Sequence, residues 1–363
     1  MRIALINDFW PGTGIGNYAF SLFNELEKKI DIEMVYLDAD KKFHKSQERI
    51  RKIKGISFPV LNHVLNNALV FPGKIPAGFD AYHASNQYLS HLVAGKSKSI
   101  VSCMDTISKR LGADYNPIVG FFWNSSMKQM KNAKKIIAIS HFTKREITKQ
   151  FGIPKEKIEV IHLGFDSSNF LPQNKKSARR GLGIEEGASV VLNVGSEEKR
   201  KNIPTLLRAF SKIAEKEPEA LLVRVGEQRQ ETIRLIKELG IEKKVKYFNS
   251  LPVEKLSLTY NAADVFCYCS YYEGFGLPVL EAMACGTPVV AAAAASVPEI
   301  VEKAGVLVKN PLDAEAFAAE TANLLENFGE RKKLERKGFV QARKFGWKKN
   351  AEETRKVYES VFK

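Results

Sequence analysis

Ser270-Tyr271-Tyr272-Glu273-Gly274-Phe275-Gly276-Leu277-Pro278-Val279-Leu280-Glu281-Ala282 is the stretch that decides how this chain is read. It holds two carboxylates, a Gly-x-Gly turn and a proline placed to start a helix. The run before it, Ala263-Asp264-Val265-Phe266-Cys267-Tyr268-Cys269, reads as a buried parallel strand. Gly274 and Gly276 let the backbone approach a ligand closely or take positive φ. Pro278 suits the first turn of a helix, where its missing N–H costs nothing. Glu273 then falls on the turn and Glu281 about one turn into the helix. Both flank a helix N-terminus whose free N–H groups favour an anion. A phosphate between two carboxylates that grip hydroxyls is one way to hold a nucleotide sugar.

The string continues as Ala282-Met283-Ala284-Cys285-Gly286-Thr287-Pro288-Val289-Val290. A Glu-x7-Glu spacing followed by this run resembles the retaining glycosyltransferases of the GT-B fold, specifically the large group-4 family. The resemblance implies an α/β fold of two facing Rossmann-like, doubly wound domains, with a C-terminal helix crossing back to the first. It implies that Glu273 contacts the transferred sugar and that Glu281 holds the ribose hydroxyls. The turn Gly274-Phe275-Gly276-Leu277 would lie at the donor, with the Gly276 and Leu277 N–H groups on its diphosphate. Taken singly, the two glutamates also suit a solvated loop and a favourable helix dipole; the whole string argues for the donor.

The rest of the chain fits that frame. At 363 residues it suits two α/β domains. Short apolar runs alternate with helical patterns, the signature of doubly wound parallel sheets. Strands are expected at 3–7, 32–37, 81–83, 99–103, 135–139 and 157–161, with helices starting near Gly14, after Asp114 and at His141, capped by Ser140. The segment 164–187 is rich in Ser, Asn, Gln, Pro, Lys and Gly and reads as a connection with a short helix at 175–182. A second series follows, with strands at 189–194, 220–225, 245–248, 264–268, 287–291 and 306–308. Its helices are expected at 204–215, 231–239, 255–262, 277–284, 314–325 and 331–344. The resulting division is residues 1–163, 164–345 and a last helix, 346–363. The resemblance assigns the acceptor to the first domain, the nucleotide sugar to the second, and the last helix to the first domain's surface. Ligands of open α/β sheets bind at the C-terminal ends of the strands.

Further motifs sit at those ends. Gly12-Thr13-Gly14-Ile15-Gly16-Asn17 follows the first strand and opens the first helix, a context that suits a phosphate-binding loop. The resemblance puts Gly14 and Gly16 against the donor's phosphate; a tight turn without a ligand reads the same residues. Val194-Gly195-Ser196-Glu197-Glu198-Lys199-Arg200-Lys201-Asn202 offers a glycine turn and three consecutive cations, a good diphosphate clamp. Arg200-Lys201-Asn202 matches the family, which implies Lys201 and then Arg200 as the cations. Many family members carry an arginine just after the glycine, where this chain has Ser196, so the second cation stays open. In Ser102-Cys103-Met104-Asp105-Thr106, Met104 stands where the family often has histidine. Asp105 remains to orient a sugar or acceptor hydroxyl, or simply to cap the following turn. His83 at another strand end reads as structural. Glu299, after Val297-Pro298, reads as a cap.

Asp38-Ala39-Asp40 invites a metal reading but lies far in sequence from the donor loops, and reads as a loop. No convincing metal-ligand set is found, so a metal-independent enzyme is expected, with the nucleotide sugar as co-substrate and no other cofactor. The four cysteines (103, 267, 269 and 285) lie in apolar contexts, and reduced thiols are expected. The formal net charge is +15, and by count from the sequence residues 1–163 carry +10 of it. That basic half suits an anionic partner such as a membrane surface, or a solvated face. Phe121-Phe122-Trp123 with Met127, Met130 and Lys128, Lys131, Lys134 and Lys135 is amphipathic and basic, as interfacial helices and ordinary core-facing helices both are. No run reaches the roughly 18 apolar residues of a membrane span, and Arg2–Ile6 enters a strand pattern without a signal-peptide layout. The expected location is cytoplasmic, peripheral on the inner membrane face, with a glycan or lipid-linked acceptor. No nucleic-acid module is apparent, and neither the carboxylate set of a sugar-nucleotide epimerase nor a phosphorylase's cofactor lysine is seen.

Overall fold

A computed structural model describes residues 1–39, 48–58, 61–107 and 117–363. The chain forms two compact units, Met1–Gly164 with Trp347–Lys363 and Phe165–Gly346. Each is a parallel sheet with helices on its faces.

In unit 1 the strands are β1 (Arg2–Asn7), β2 (Asp31–Asp38), β3 (Ile50–Lys54), β4 (Ala81–Ala84), β5 (Ser99–Cys103), β6 (Lys135–Ala138) and β7 (Ile158–Val160). They lie in the order β3-β2-β1-β4-β5-β6-β7, so the chain reverses direction at β1, between β2 and β4. All pairs are parallel, as at Ile3↔Ile32 and Leu5↔His83. Apolar side chains of β1, β4, β5 and β6 pack with Phe71, Met127, Met130 and Ile147.

β3 departs from the sequence expectation. Ile50-Arg51-Lys52-Ile53-Lys54 reads as a charge cluster, yet it is an edge strand on β2. Its cations meet acids of the neighbouring strand, Arg51 to Glu33 at 2.5 Å and Lys52 to buried Asp38 at 2.7 Å. Charged residues on an edge keep it from pairing with another chain. Asp38 is therefore engaged in an ion pair, and Asp40, with Lys41, Lys42 and Lys45 after it, lies outside the described residues. The short helical turns at 62–74 and 87–93 were also absent from the expectation.

Local signals behave as their chemistry dictates. Ser140 caps the helix His141–Phe151 by accepting the Thr143 N–H at 3.0 Å, and Gly152 ends that helix at φ +66°. The helix Trp347–Ser360 belongs to unit 1. The Tyr358 hydroxyl lies 2.8 Å from Nδ1 of buried His83, whose Nε2 lies 2.8 Å from the Ser102 hydroxyl. Burial pushes the His83 pKa down to about 3, so the ring stays neutral within this chain of hydroxyls. Its role is to join the last helix to β4 and β5.

In unit 2 the strands are β8 (Ser189–Val194), β9 (Ala220–Val225), β10 (Val245–Phe248), β11 (Val265–Tyr268), β12 (Val289–Ala292) and β13 (Val306–Val308). Their order is β10-β9-β8-β11-β12-β13, again all parallel, with the reversal between β8 and β11. The helix Leu277–Ala284 occupies the span expected for it, and the helix Phe328–Ala342 starts three residues before the expected 331.

Candidate functional site

The switch point of unit 2 brings the loop after β8 against the loop after β11. Lys199–Lys201 makes one turn of 3₁₀ helix, ended by Asn202 at φ +55°. Asparagine tolerates that left-handed backbone, and its amide donates to the Cys269 and Pro311 carbonyls at 3.2 and 2.6 Å. The Arg200 carbonyl accepts the Tyr271 N–H and the Ser270 hydroxyl, both at 2.9 Å. The two loops are thereby zipped together, and their side chains converge.

Glu273 is the point of convergence. Its Oε1 accepts from Lys201 Nζ at 2.7 Å, the Tyr268 hydroxyl at 2.7 Å and the Ser270 hydroxyl at 2.6 Å. Its Oε2 accepts from Arg200 Nη1 at 2.9 Å. Lys201 also donates to Tyr268 at 2.9 Å, and Arg200 Nε donates to Glu198 at 2.7 Å. Burial raises the Glu273 carboxyl, but the charges of Lys201 and Arg200 and the bonds from Lys201 and Ser270 outweigh it and hold the pKa at about 2. Burial lowers Lys201, with Glu273 supporting its charge and Arg200 opposing it. Burial also lowers Arg200, but its two carboxylate neighbours, Glu273 and Glu198, prevail and raise it. Among the described residues Lys201 spends two of its three N–H donors and Oε2 accepts a single bond, which leaves capacity for a ligand.

Gly274, Phe275 and Gly276 carry the chain from Glu273 into the helix Leu277–Ala284. Gly276 sits at φ +118° and Pro278 occupies the first turn. Phe275 is buried against Phe345. The Ser296 hydroxyl bonds the Glu273 and Phe275 carbonyls at 2.9 and 2.6 Å and pins the turn. The first-turn N–H groups of a helix have no acceptor within it. On the same helix Glu281 accepts from the Tyr260 hydroxyl at 2.8 Å. Burial pushes its pKa up to about 7, against the Tyr260 bond and with help from Asp166.

Gly195 and Gly226 end β8 and β9 at φ +144° and +151°. A Cβ on Gly226 would stand 2.1 Å from the Gly195 carbonyl oxygen, so the two turns touch backbone to backbone. Ser196 bonds Glu198 at 3.1 Å. Beneath lie the fully buried Arg224 and buried Glu197, which accepts from Arg229 N–H, Thr232 and Tyr247, each at 2.7 Å.

The remaining candidates belong to unit 1. Thr13 caps the first helix by accepting the Gly16 N–H at 3.0 Å, and the Gly12 N–H goes to Asn17 at 2.8 Å. Gly16 packs so closely on the Trp10 carbonyl that a Cβ would stand 1.9 Å away, whereas Gly14 has open space. Asp105 accepts the Ile107 N–H at 3.2 Å and the Gln87 amide at 3.4 Å, which makes it a cap of its own turn. Met104 is buried. Unit 1 also holds a half-open cavity of about 200 Å³ walled by Val64, Asn67, Tyr88, His91, Phe122 and Trp123. In the helix Pro117–Gln129, Met127 joins the core while Ile118 and Phe121 stay exposed.

Among the cluster's members, Tyr268, Ser270, Tyr260, Ser296 and Arg224 were not singled out from the sequence. Arg224 carried a readable signal, a lone cation inside the apolar run Ala220–Val225. The others become partners only through strand register. Cys267 and Cys269 are free and buried with their Sγ atoms 3.8 Å apart.

Two family models match the chain. Glycosyl transferases group 1 covers residues 174–341 and Glycosyltransferase Family 4 covers residues 12–169. The chain is 30% identical to O-antigen chain mannosyltransferase B of Escherichia coli across 96% of each chain. Among solved structures it is similar to sucrose-phosphate synthase from Thermosynechococcus elongatus, with a TM-score of 0.81, 23% identity and 99% of each chain covered. It is also similar to Anabaena HepE, solved in complex with UDP and glucose, with a TM-score of 0.79 and 18% identity over 99% of this chain and 100% of that one.

Proposed function

This chain belongs to the group-4 glycosyltransferases of the GT-B fold and is a glycosyltransferase; from that membership we propose that it moves a hexose from a nucleoside-diphosphate sugar, with retention and without a metal, to a glycan or lipid-linked acceptor. The observation that carries the reading is the meeting of Lys201 and Arg200 with Glu273 beside the start of the helix Leu277–Ala284. The bond between the sugar's anomeric carbon and the diphosphate oxygen breaks, and negative charge grows on the departing diphosphate. Lys201, Arg200 and the N–H groups of Gly276 and Leu277 are fixed donors for that charge, and donors that need no rearrangement lower the barrier most.

Glu273 aligns the sugar through Oε2. With its pKa held at about 2, it stays ionised and is a poor match for a proton-transfer role near neutral pH. The attacking hydroxyl approaches the face the diphosphate leaves, and its proton passes to a departing phosphate oxygen. Glu281 accepts the ribose hydroxyls as a carboxylate. The name of the E. coli relative favours mannose as the hexose, and the UDP-bound neighbour makes UDP the first nucleotide to try.

The acceptor is assigned to unit 1, where the aromatic-walled cavity favours an apolar or ring-shaped portion of it. No helix among the described residues is long and apolar enough to cross a membrane. Exposed Ile118 and Phe121 with Lys128 and Lys131 favour peripheral contact with an anionic, cytoplasm-facing membrane surface.

The test is a thermal-shift screen of nucleoside diphosphates and their sugars, followed by product analysis. A ligand at a hundred times its dissociation constant adds about 2.7 kcal/mol, enough to rank donors. Stabilisation lost in Lys201→Ala and a product with retained anomeric configuration support the reading. A chain that responds to no nucleoside diphosphate, or that forms the inverted anomer, refutes it.

A further inference from the structure

Arg224 is the largest of the fully buried side chains among the described residues. A buried guanidinium is costly, and apolar residues of similar volume usually serve stability as well or better. Its bonds explain why the charge is there. Nη1 donates to the Val225 carbonyl at 2.7 Å and Nη2 to the Ser196 carbonyl at 3.4 Å, with Glu197 at 4.0 Å. Its Nε, sealed from solvent, has no hydrogen-bond partner. Nε stays unmet while Nη1 and Nη2 each hold a backbone carbonyl.

Those carbonyls belong to the two turns in contact. Nη1 lies 3.1 Å from where a Gly226 Cβ would stand, and that same Cβ would collide with Gly195. Gly195 in turn lies beside the Lys201 stem, since a Cβ placed on it would stand 3.6 Å from Lys201 Cε. The turn that Arg224 holds through the Ser196 carbonyl is thus a neighbour of the Lys201 side chain whose ammonium meets Glu273. Glu197 extends it sideways, since its bonds to Tyr247 and Thr232 lock the loop to β10 and to the helix Gln230–Glu238.

We propose that Arg224 is a positioning residue of the donor site, fixing from beneath the Gly195–Ser196 turn that receives the distal phosphate of the donor and so setting the preference for a nucleoside diphosphate over a monophosphate. The inference rests on the donor reading above. Arg224 is out of reach of the ligand and acts through the turn. Loss of Arg224 relaxes the turn and weakens the grip on the distal phosphate, while contacts to base and ribose elsewhere in unit 2 persist.

The experiment measures affinities of UDP with UMP and of GDP with GMP by calorimetry on the full chain, using the pair that binds more tightly. In the wild-type chain the diphosphate binds at least tenfold more tightly than the monophosphate. In Arg224→Met diphosphate affinity falls about tenfold or more and monophosphate affinity stays within threefold. Arg224→Lys keeps a cation that reaches one carbonyl, and falls between. Circular dichroism checks folding, and if the methionine variant does not fold the same ratio in Arg224→Lys decides. Equal losses for both nucleotides, no loss for either, or a wild-type chain indifferent to the second phosphate overturns the inference. A wild-type chain that binds none of the four nucleotides overturns the donor reading itself.

Discussion

Replacing Glu273 with glutamine keeps the shape of the site and removes one charge. In the folded chain the Glu273 carboxyl is held at about 2, against an ordinary value of 4.5. At 1.36 kcal/mol per unit, that difference corresponds to about 3 kcal/mol of stability at neutral pH. Because the folded pKa is the depressed one, the contribution is fully present above 4.5 and is lost as pH falls toward 2. Glu273→Gln should therefore cost unit 2 about 3 kcal/mol at pH 7, close to the cost of breaking a buried ion pair. The deficit should shrink to about half by pH 3. The assay must report on unit 2 specifically, since Trp10, Trp123 and Trp347 all lie in unit 1 and tryptophan fluorescence follows that unit. Hydrogen exchange of peptides from β8 and β11, measured across a urea series at pH 7, 4 and 3, meets that need. A deficit under 1 kcal/mol at pH 7, or one that stays constant between pH 7 and pH 3, would refute the electrostatic account of this cluster.

Ser296→Ala removes one hydrogen-bond donor from the Glu273 and Phe275 carbonyls and should cost about 1–3 kcal/mol. It should also raise the donor KM severalfold with the kcat less affected, as steady-state kinetics would register. For Glu281 the folded pKa is raised to about 7 by burial, so its charge opposes folding above that pH and not below 4.5. Glu281→Gln should stabilise unit 2 at pH 8, an effect that vanishes near pH 4.5, and should weaken nucleotide binding tenfold or more; parallel losses of stability and binding would contradict this. All four cysteines are buried, and burial pushes the Cys285 thiol up to about 12. Native protein should resist alkylation by iodoacetamide at pH 8 while four thiols react in urea, read by mass spectrometry.

Unit 2 was the more legible half for a physical reason. Its partly exposed edge strands, Val245–Phe248 and Val306–Val308, stay mostly apolar, and its buried central strands appear as apolar runs such as Ser189–Val194. β3 was missed because an exposed edge tolerates Arg51, Lys52 and Lys54, and its pairing depends on Glu33 and Asp38 of another strand. The turns around Asn62 and Asn66 were missed because asparagines bond the backbone locally, as the Asn66 amide does with Ile56 and Asn62 at 2.8 Å. At the site, the carboxylates and the Arg200-Lys201-Asn202 loop were legible from spacing and chemistry. Tyr268, Ser270 and Ser296 were not, since neither strand nor helix period tells which hydroxyl will meet Glu273 across a sheet.

The join between Tyr358 and His83 bears on how this protein is made. A ribosome releases Ala81–Ala84 early and Trp347–Ser360 only after all of unit 2 has emerged. At about 5–20 residues per second, unit 2 takes on the order of ten to forty seconds to synthesise. For that interval unit 1 waits with His83 and Ser102 lacking the hydroxyl that completes their chain, while unit 2, contiguous in sequence, can finish folding. The unit that starts first thus closes after the one that starts second.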